Sequence, residues 1–116
     1  MSRTVRLLLL ALALASLAAY AVIRSGILEP PPAPVVVTPE AIARGRLVYR
    51  NRCHGCHNDI PLEKRVAGWS ADQAYAVIGD LPKRKRAMPA FAGDDAERRA
   101  LAAWVHALGA GQVPQY

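Results

Sequence analysis

The pentapeptide Cys53-His54-Gly55-Cys56-His57 constrains the fold more than any other part of this 116-residue chain. Cysteines three positions apart on one helical turn point their thiols the same way. The pattern C-x-x-C-H attaches a c-type haem. We therefore expect Cys53 and Cys56 to form thioethers to one covalent haem, with the imidazole of His57 as its proximal iron ligand.

Three other interpretations of the two cysteines are weaker. A structural zinc site needs four ligands, and with no third cysteine in the sequence the fourth would have to be His54 or His106. A thiol redox pair should follow a strand inside a βαβ pattern, but the residues before Cys53 predict a helix. A disulfide between residues this close would close too short a loop to stabilise much. A zinc or disulfide module is therefore the non-haem alternative.

The soluble part of the chain is small for a protein that must build a core. It has roughly 80 residues, which is marginal when side chains alone must supply the buried surface. A covalently held macrocycle would add a large apolar body for the helices to pack against. We therefore expect the haem to be structural as well as functional.

Met88 is the candidate for the sixth iron ligand. Met, His, Cys and Tyr are the ligand types available. The cysteines are used, and Met1 lies beyond an apolar segment, so Met88 is the thioether left in the soluble part. A lone Met is often core filler, but this one stands in a predicted loop before Pro89. The rival ligand is His106, which we expect instead on the solvated side of the last helix.

Whether both axial positions of the haem iron are occupied determines if the iron can bind a substrate. An iron held by His57 and Met88 has no open site for substrate, which predicts one-electron transfer and not an enzyme. If Met88 does not bind, the alternative is a haem enzyme or gas sensor with an open distal site.

With Met88-Pro89-Ala90-Phe91 about thirty residues after the haem motif, the chain resembles a class I monohaem cytochrome c of the membrane-anchored bacterial type. The resemblance covers Thr38 to Gly109. It implies a small all-α fold of three to four helices around one haem. It also implies that the first helix of the domain crosses the last, through residues that match here as Gly45, Tyr49, Leu101 and Trp104.

Two further residues are candidates for the surroundings of the haem. The family has a proline after the motif whose carbonyl accepts a hydrogen bond from the proximal His ring and fixes its tautomer. Pro61 is that candidate, although it follows His57 by only four residues and Ile60 stands where the family has Gly. Trp69 is expected either to donate its indole N–H to a haem propionate or to cover the pocket.

The N-terminal segment predicts export from the cytoplasm. Leu7 to Ile23 is an apolar run broken by one serine, and basic residues flank it at Arg3, Arg6 and Arg24. A membrane anchor needs about 20 apolar residues, whereas a signal peptide has an apolar region of 7 to 15 residues. We favour the anchor; the alternative is cleavage after Ala19-Tyr20-Ala21. Either way, the preceding arginines predict a haem domain in the periplasm, at the cell inner membrane if the anchor is kept.

Composition divides the chain into three parts. Residues 1–26 are the anchor or signal peptide, residues 27–38 a Pro-rich linker, and residues 39–116 the haem domain. A linker rich in proline and lacking glycine behaves as a semi-rigid spacer.

The formal net charge of +6 is unevenly distributed. From position 27 onward, 12 Lys and Arg stand against 9 Asp and Glu. The densest run is Lys83-Arg84-Lys85-Arg86, just before Met88. An exported haem domain should meet no nucleic acid, so the run predicts either a solvated loop or a patch that docks an acidic membrane redox complex or electron-transfer protein. The resemblance implies that this loop borders the exposed haem edge.

Three helices are predicted in the haem domain. Thr38-Pro39-Glu40 begins the first, which should run to Asn51. Ser70-Ala71-Asp72-Gln73 is a capping box for the second, to Gly79. Asp94 caps the third, with Gly109 as its expected stop. No strand is predicted, and residues 81–93 should form the loop that carries Met88.

Overall fold

The computed structural model describes residues 1–116 and divides into two compact units, residues 1–33 and residues 34–116. The first unit contains one helix, α1, from Arg3 to Arg24. Its 22 residues are all exposed, and it is long and apolar enough to cross a membrane. A helix of this length spans about 33 Å, close to the hydrocarbon thickness of a bilayer. A signal sequence at the same position would meet the same criterion.

The second unit is built from five helices and contains no strand, which confirms the all-α prediction. Its three long helices are α2, Pro39–Arg52; α4, Ala71–Ile78; and α6, Asp95–Gly109. Two single-turn helices, α3 (His54–His57) and α5 (Leu81–Arg84), were not predicted as separate elements. Before α2, the backbone N–H of Val35 donates to a carboxylate oxygen of Asp72 at 2.7 Å, so the end of the Pro-rich segment is attached to this unit.

Each long helix begins where its cap was predicted. The side chains of Thr38, Ser70 and Asp94 each accept a hydrogen bond from the backbone N–H three residues further on, at 3.1, 3.0 and 2.8 Å. These bonds satisfy donors that a helix N-terminus otherwise leaves unpaired. The helix starts are therefore set by local sequence.

The crossing of α2 and α6 is the centre of the unit, as the matching residues implied. A Cβ added at Gly45 would collide with the carbonyl oxygen of Ala100 and lie 2.6 Å from the Cβ of Trp104. Glycine therefore lets the two backbones meet. One turn further along α2, the ring of Tyr49 stacks on Trp104 with centroids 4.4 Å apart and planes 25° apart. Tyr49 and Trp104 are 1% and 0% exposed, so this pair is the middle of the core.

The end of α6 differs from the prediction. Gly109 belongs to the helix, and the residue with a positive φ, +72°, is Gly111. Gly111 closes the helix by donating to Leu108 while the next amide, of Gln112, donates to Ala107, which is a Schellman arrangement. Gly109 has another purpose, because a Cβ there would collide with the carbonyl oxygen of Val66. Its missing side chain lets the loop before α4 pack against α6.

Candidate haem site

Helix α2 delivers the Cys-His pentapeptide directly. Cys53 ends α2 by donating its backbone N–H to Tyr49 at 2.8 Å, and it begins α3. The amides of Cys56 and His57 then both donate to the carbonyl of Cys53, at 3.3 and 3.0 Å. The two cysteines and the histidine thus lie on one tight turn attached to the core. Both thiols are free of any disulfide.

The three side chains differ in exposure and in proton affinity. Cys53 is partly buried, and burial raises the pKa of its thiol, whereas Cys56 is exposed. His57 is partly buried; burial first, and then the positive charge of Arg65, lower the pKa of its imidazole. The neutral ring is the form that ligates a metal. Two free thiols and an imidazole on one turn are the groups that covalent attachment and proximal ligation of a haem require, so the residues fit the group.

The hydrogen bond expected between His57 and Pro61 is not formed in this structure. The Nδ1 atom of His57 is buried and has no hydrogen-bond partner. Pro61 itself is exposed, and its two neighbours are bound elsewhere: the carbonyl of Ile60 accepts from Gln115 at 2.8 Å, and the amide of Leu62 donates to Gln115 at 2.7 Å. The backbone on both sides of Pro61 is therefore held by the Gln115 side chain.

Met88 lies in the loop between α5 and α6. Its backbone N–H donates to the carbonyl of Lys85 at 3.0 Å, and its side chain is partly buried. The neighbouring Pro89 and Ala90 are exposed. The turn that begins at Lys85 therefore fixes the position of the Met88 backbone.

Trp69 and His106 are bound to each other. Trp69 is partly buried at the edge of the core, and its backbone carbonyl lies 2.7 Å from Nδ1 of His106. The expectation that His106 is a solvated surface residue is wrong: it is partly buried and joins α6 to the residue just before the N-cap of α4. Its position off the apolar stripe was correct, but another loop covers that side of the helix.

The basic run extends from the end of α5 into the loop. Lys83, Arg84, Lys85 and Arg86 are all exposed. Asp80 lies 3.4 Å from the Lys83 ammonium group, a contact between two exposed side chains that contributes little stability. The run therefore presents a concentrated positive charge to solvent immediately before Met88.

Gln115 was not identified from the sequence. Gln115 is only 2% exposed, and its side chain binds the backbone of the loop that follows His57. No local pattern distinguishes it, because a glutamine in a polar segment after a helix is typical of a solvated tail.

An all-helical domain whose first helix is followed directly by a turn with two free thiols and a histidine has the architecture of a cytochrome c. The chain belongs to the family described as cytochrome c oxidase, cbb3-type, subunit III, whose model matches residues 40–105. The match covers more than half of the chain, from the first turn of α2 into α6. Comparisons with curated proteins and with solved structures gave no match. Membership of this family means a small cytochrome c fold, covalently bound haem c with its iron, and haem-based electron transfer.

Proposed function

We propose that the chain is a membrane-tethered single-haem carrier whose haem is attached at Cys53 and Cys56 and ligated by His57 and Met88. When bound, the haem iron accepts and releases one electron. The observation that carries the proposal is the turn from Cys53 to His57, which presents both thiols and the imidazole from one end of α2. No other cysteines are available in the sequence.

Each residue has a distinct role in this proposal. The thiols hold the porphyrin covalently, so that the cofactor cannot dissociate. His57 binds neutral, which its lowered pKa favours. Met88 supplies a thioether, which raises the potential relative to a second imidazole. Met88 stands in the loop between α5 and α6, with a backbone fixed by its bond to Lys85, whereas His106 lies on α6, which supports Met88 over His106 as the distal ligand.

Covalent haem is the first testable consequence. On a reducing, denaturing gel, the wild-type chain should retain haem stain, Cys53→Ser and Cys56→Ser should each retain less, and the double variant should retain none. Thioethers survive reduction, whereas a disulfide or zinc site would leave an unstained wild-type band. Haem stain in the wild-type band would therefore support the haem protein, and its absence would support the zinc or disulfide module.

We also propose that residues 1–26 remain attached as an inner-membrane anchor, followed by the 27–38 linker and a periplasmic haem domain from residue 39. The apolar run from Leu7 to Ile23 is longer than the 7 to 15 apolar residues of a signal peptide, which supports retention. The basic residues that precede the apolar run, Arg3 and Arg6, support an N-terminus in the cytoplasm.

Retention of the anchor predicts the mass of the haem-carrying chain. Mass spectrometry of protein from membranes should give the uncleaved polypeptide plus one haem. Protease added outside spheroplasts should digest the haem domain, and the same treatment should spare a cytoplasmic marker protein. A chain that begins at Val22 would show that Ala21 ends a cleaved signal peptide.

The partner we propose is a membrane redox complex, either as the acceptor of a shuttle or as an assembly that includes this chain. The family model is described as an oxidase subunit, which supports a partner of this kind. The exposed run from Lys83 to Arg86 would meet an acidic face of that partner. Positive charge beside the site of electron exit raises the rate of productive encounter at low salt.

Charge reversal in this run should change the rate of electron transfer to charged oxidants. We expect Lys85→Glu to slow oxidation by anionic hexacyanoferrate(III) by roughly tenfold at low ionic strength, and to speed oxidation by a cationic cobalt complex. Lys64→Glu makes the same change in net charge at an exposed lysine outside the run and is the matched control. Equal effects of the two variants in stopped-flow measurements would contradict a local docking patch.

A further inference from the structure

The loop that follows His57 contains turns but no long helix, and one buried side chain makes several of the bonds that hold it. The Gln115 carboxamide nitrogen lies 2.8 Å from the carbonyl oxygen of Ile60 and 3.3 Å from that of His57. The carboxamide oxygen accepts from the backbone N–H of Leu62 at 2.7 Å. One glutamine thus binds the backbone of three residues among the six that begin at His57.

Gln115 also connects this loop to the helix crossing. Its nitrogen donates to the phenol oxygen of Tyr49 at 3.1 Å, and Tyr49 stacks on Trp104 of α6. Next to it, the hydroxyl of Tyr116 donates to the carbonyl of Asn58. The backbone just after His57 is therefore connected, through Gln115, to the core at the α2–α6 crossing.

The ring of His57 lacks the bond that usually orients a metal-ligating histidine. Such a histidine normally donates its second ring N–H to a carboxylate, a carbonyl or water, which fixes the plane of the ring. Here Nδ1 is buried without a partner. The backbone of His57 is held by two contacts from beyond the turn: its carbonyl accepts from the Ile60 N–H at 3.2 Å and lies 3.3 Å from the Gln115 nitrogen, which also binds the Ile60 carbonyl.

We propose that Gln115 is a positioning residue that orients His57 toward the haem iron through the backbone and, by doing so, tunes the reduction potential. The proposal rests on His57 being the proximal ligand. A loosened loop would allow the imidazole plane to rotate and would admit water beside the ligand. Water stabilises the more positively charged oxidised state, so the potential falls when the haem surroundings become wetter.

The test uses the haem-loaded protein and two substitutions. Gln115→Met has similar length and keeps the space filled while removing every hydrogen bond; Gln115→Asn keeps the amide but is one methylene too short to reach all partners. Gln112→Met is the control, because Gln112 is an exposed glutamine on the same segment. The readouts are hydrogen exchange at the Leu62 amide, the haem-methyl shifts in the NMR spectrum of the oxidised protein, and the potential.

In Gln115→Met we expect exchange at Leu62 to rise about tenfold, the value for one lost hydrogen bond, with a changed haem-methyl pattern and a lower potential. Gln115→Asn should lie between this variant and the wild type, and Gln112→Met should match the wild type. Faster exchange with unchanged haem-methyl shifts and potential would make Gln115 merely structural and overturn the proposal. If Gln115→Met yields no folded protein, the Asn variant decides in the same way. Failure of His57 as ligand is a separate result, since it would show in the spectrum of the wild-type protein.

Discussion

Replacement of Met88 by alanine should open the haem iron to external ligands, and replacement by histidine should keep the iron closed but lower its potential. The reason is that a thioether favours the reduced state more than an imidazole does. We expect Met88→His to lower the potential by on the order of 0.1 V or more, within the roughly 0.8 V that axial ligands span. Potentiometric titration measures the shift. Binding of carbon monoxide to the reduced Met88→Ala protein measures the opening.

The rival ligand provides the control for this experiment. His106→Ala should leave the potential and the near-infrared charge-transfer band of the oxidised protein unchanged, because the band reports the bond between the iron and the Met88 thioether. If His106→Ala removed the ligand and Met88→Ala did not, the assignment would be reversed. If the wild-type protein itself bound carbon monoxide readily, the haem would have an open distal site and the enzyme or gas-sensor alternative would hold.

Features of this fold that depend on neighbouring residues could be predicted from the sequence. A capping side chain needs only the amide three residues away, so Thr38, Ser70 and Asp94 specified the starts of three helices. Gly45 was also readable, because a glycine inside a helix costs about 1 kcal/mol and therefore suggests a close contact. The contact partner, the Ala100 carbonyl, is consistent with that reasoning.

Features that depend on residues far apart in the sequence could not be predicted. Gly109 and Gly111 look equivalent in the sequence, and only the positive φ of Gly111 and the proximity of Val66 to Gly109 distinguish them. Gln115 bonds to residues more than fifty positions away, at Tyr49, His57, Ile60 and Leu62. The same long-range contacts hold both neighbours of Pro61, Ile60 and Leu62, and no local pattern could have predicted them.

Gly45→Ala should destabilise the haem-loaded domain, although the same change in an exposed helix stabilises. Helix propensity alone predicts a gain of about 1 kcal/mol. Against it, the new methyl would collide with the Ala100 carbonyl oxygen and the Trp104 side chain, so α2 and α6 must separate. Overpacking of this kind costs about 1–3 kcal/mol or more, and a collision with backbone should lie at the upper end. We expect a net loss of about 2 kcal/mol, which lowers the melting temperature by roughly 8–16 °C in a domain of this size.

A matched substitution on the same helix calibrates the propensity part of this result. Ala43 is exposed two residues earlier, and Ala43→Gly should cost about 1 kcal/mol through propensity alone. Gly45→Val should be worse than Gly45→Ala, because its branched side chain extends further into α6. Thermal unfolding followed by circular dichroism ranks the variants. If Gly45→Ala were as stable as the wild type or more so, the backbones could part without loss, and the crossing on which Tyr49, Trp104 and the Cys-His turn depend would not be the rigid centre of the domain.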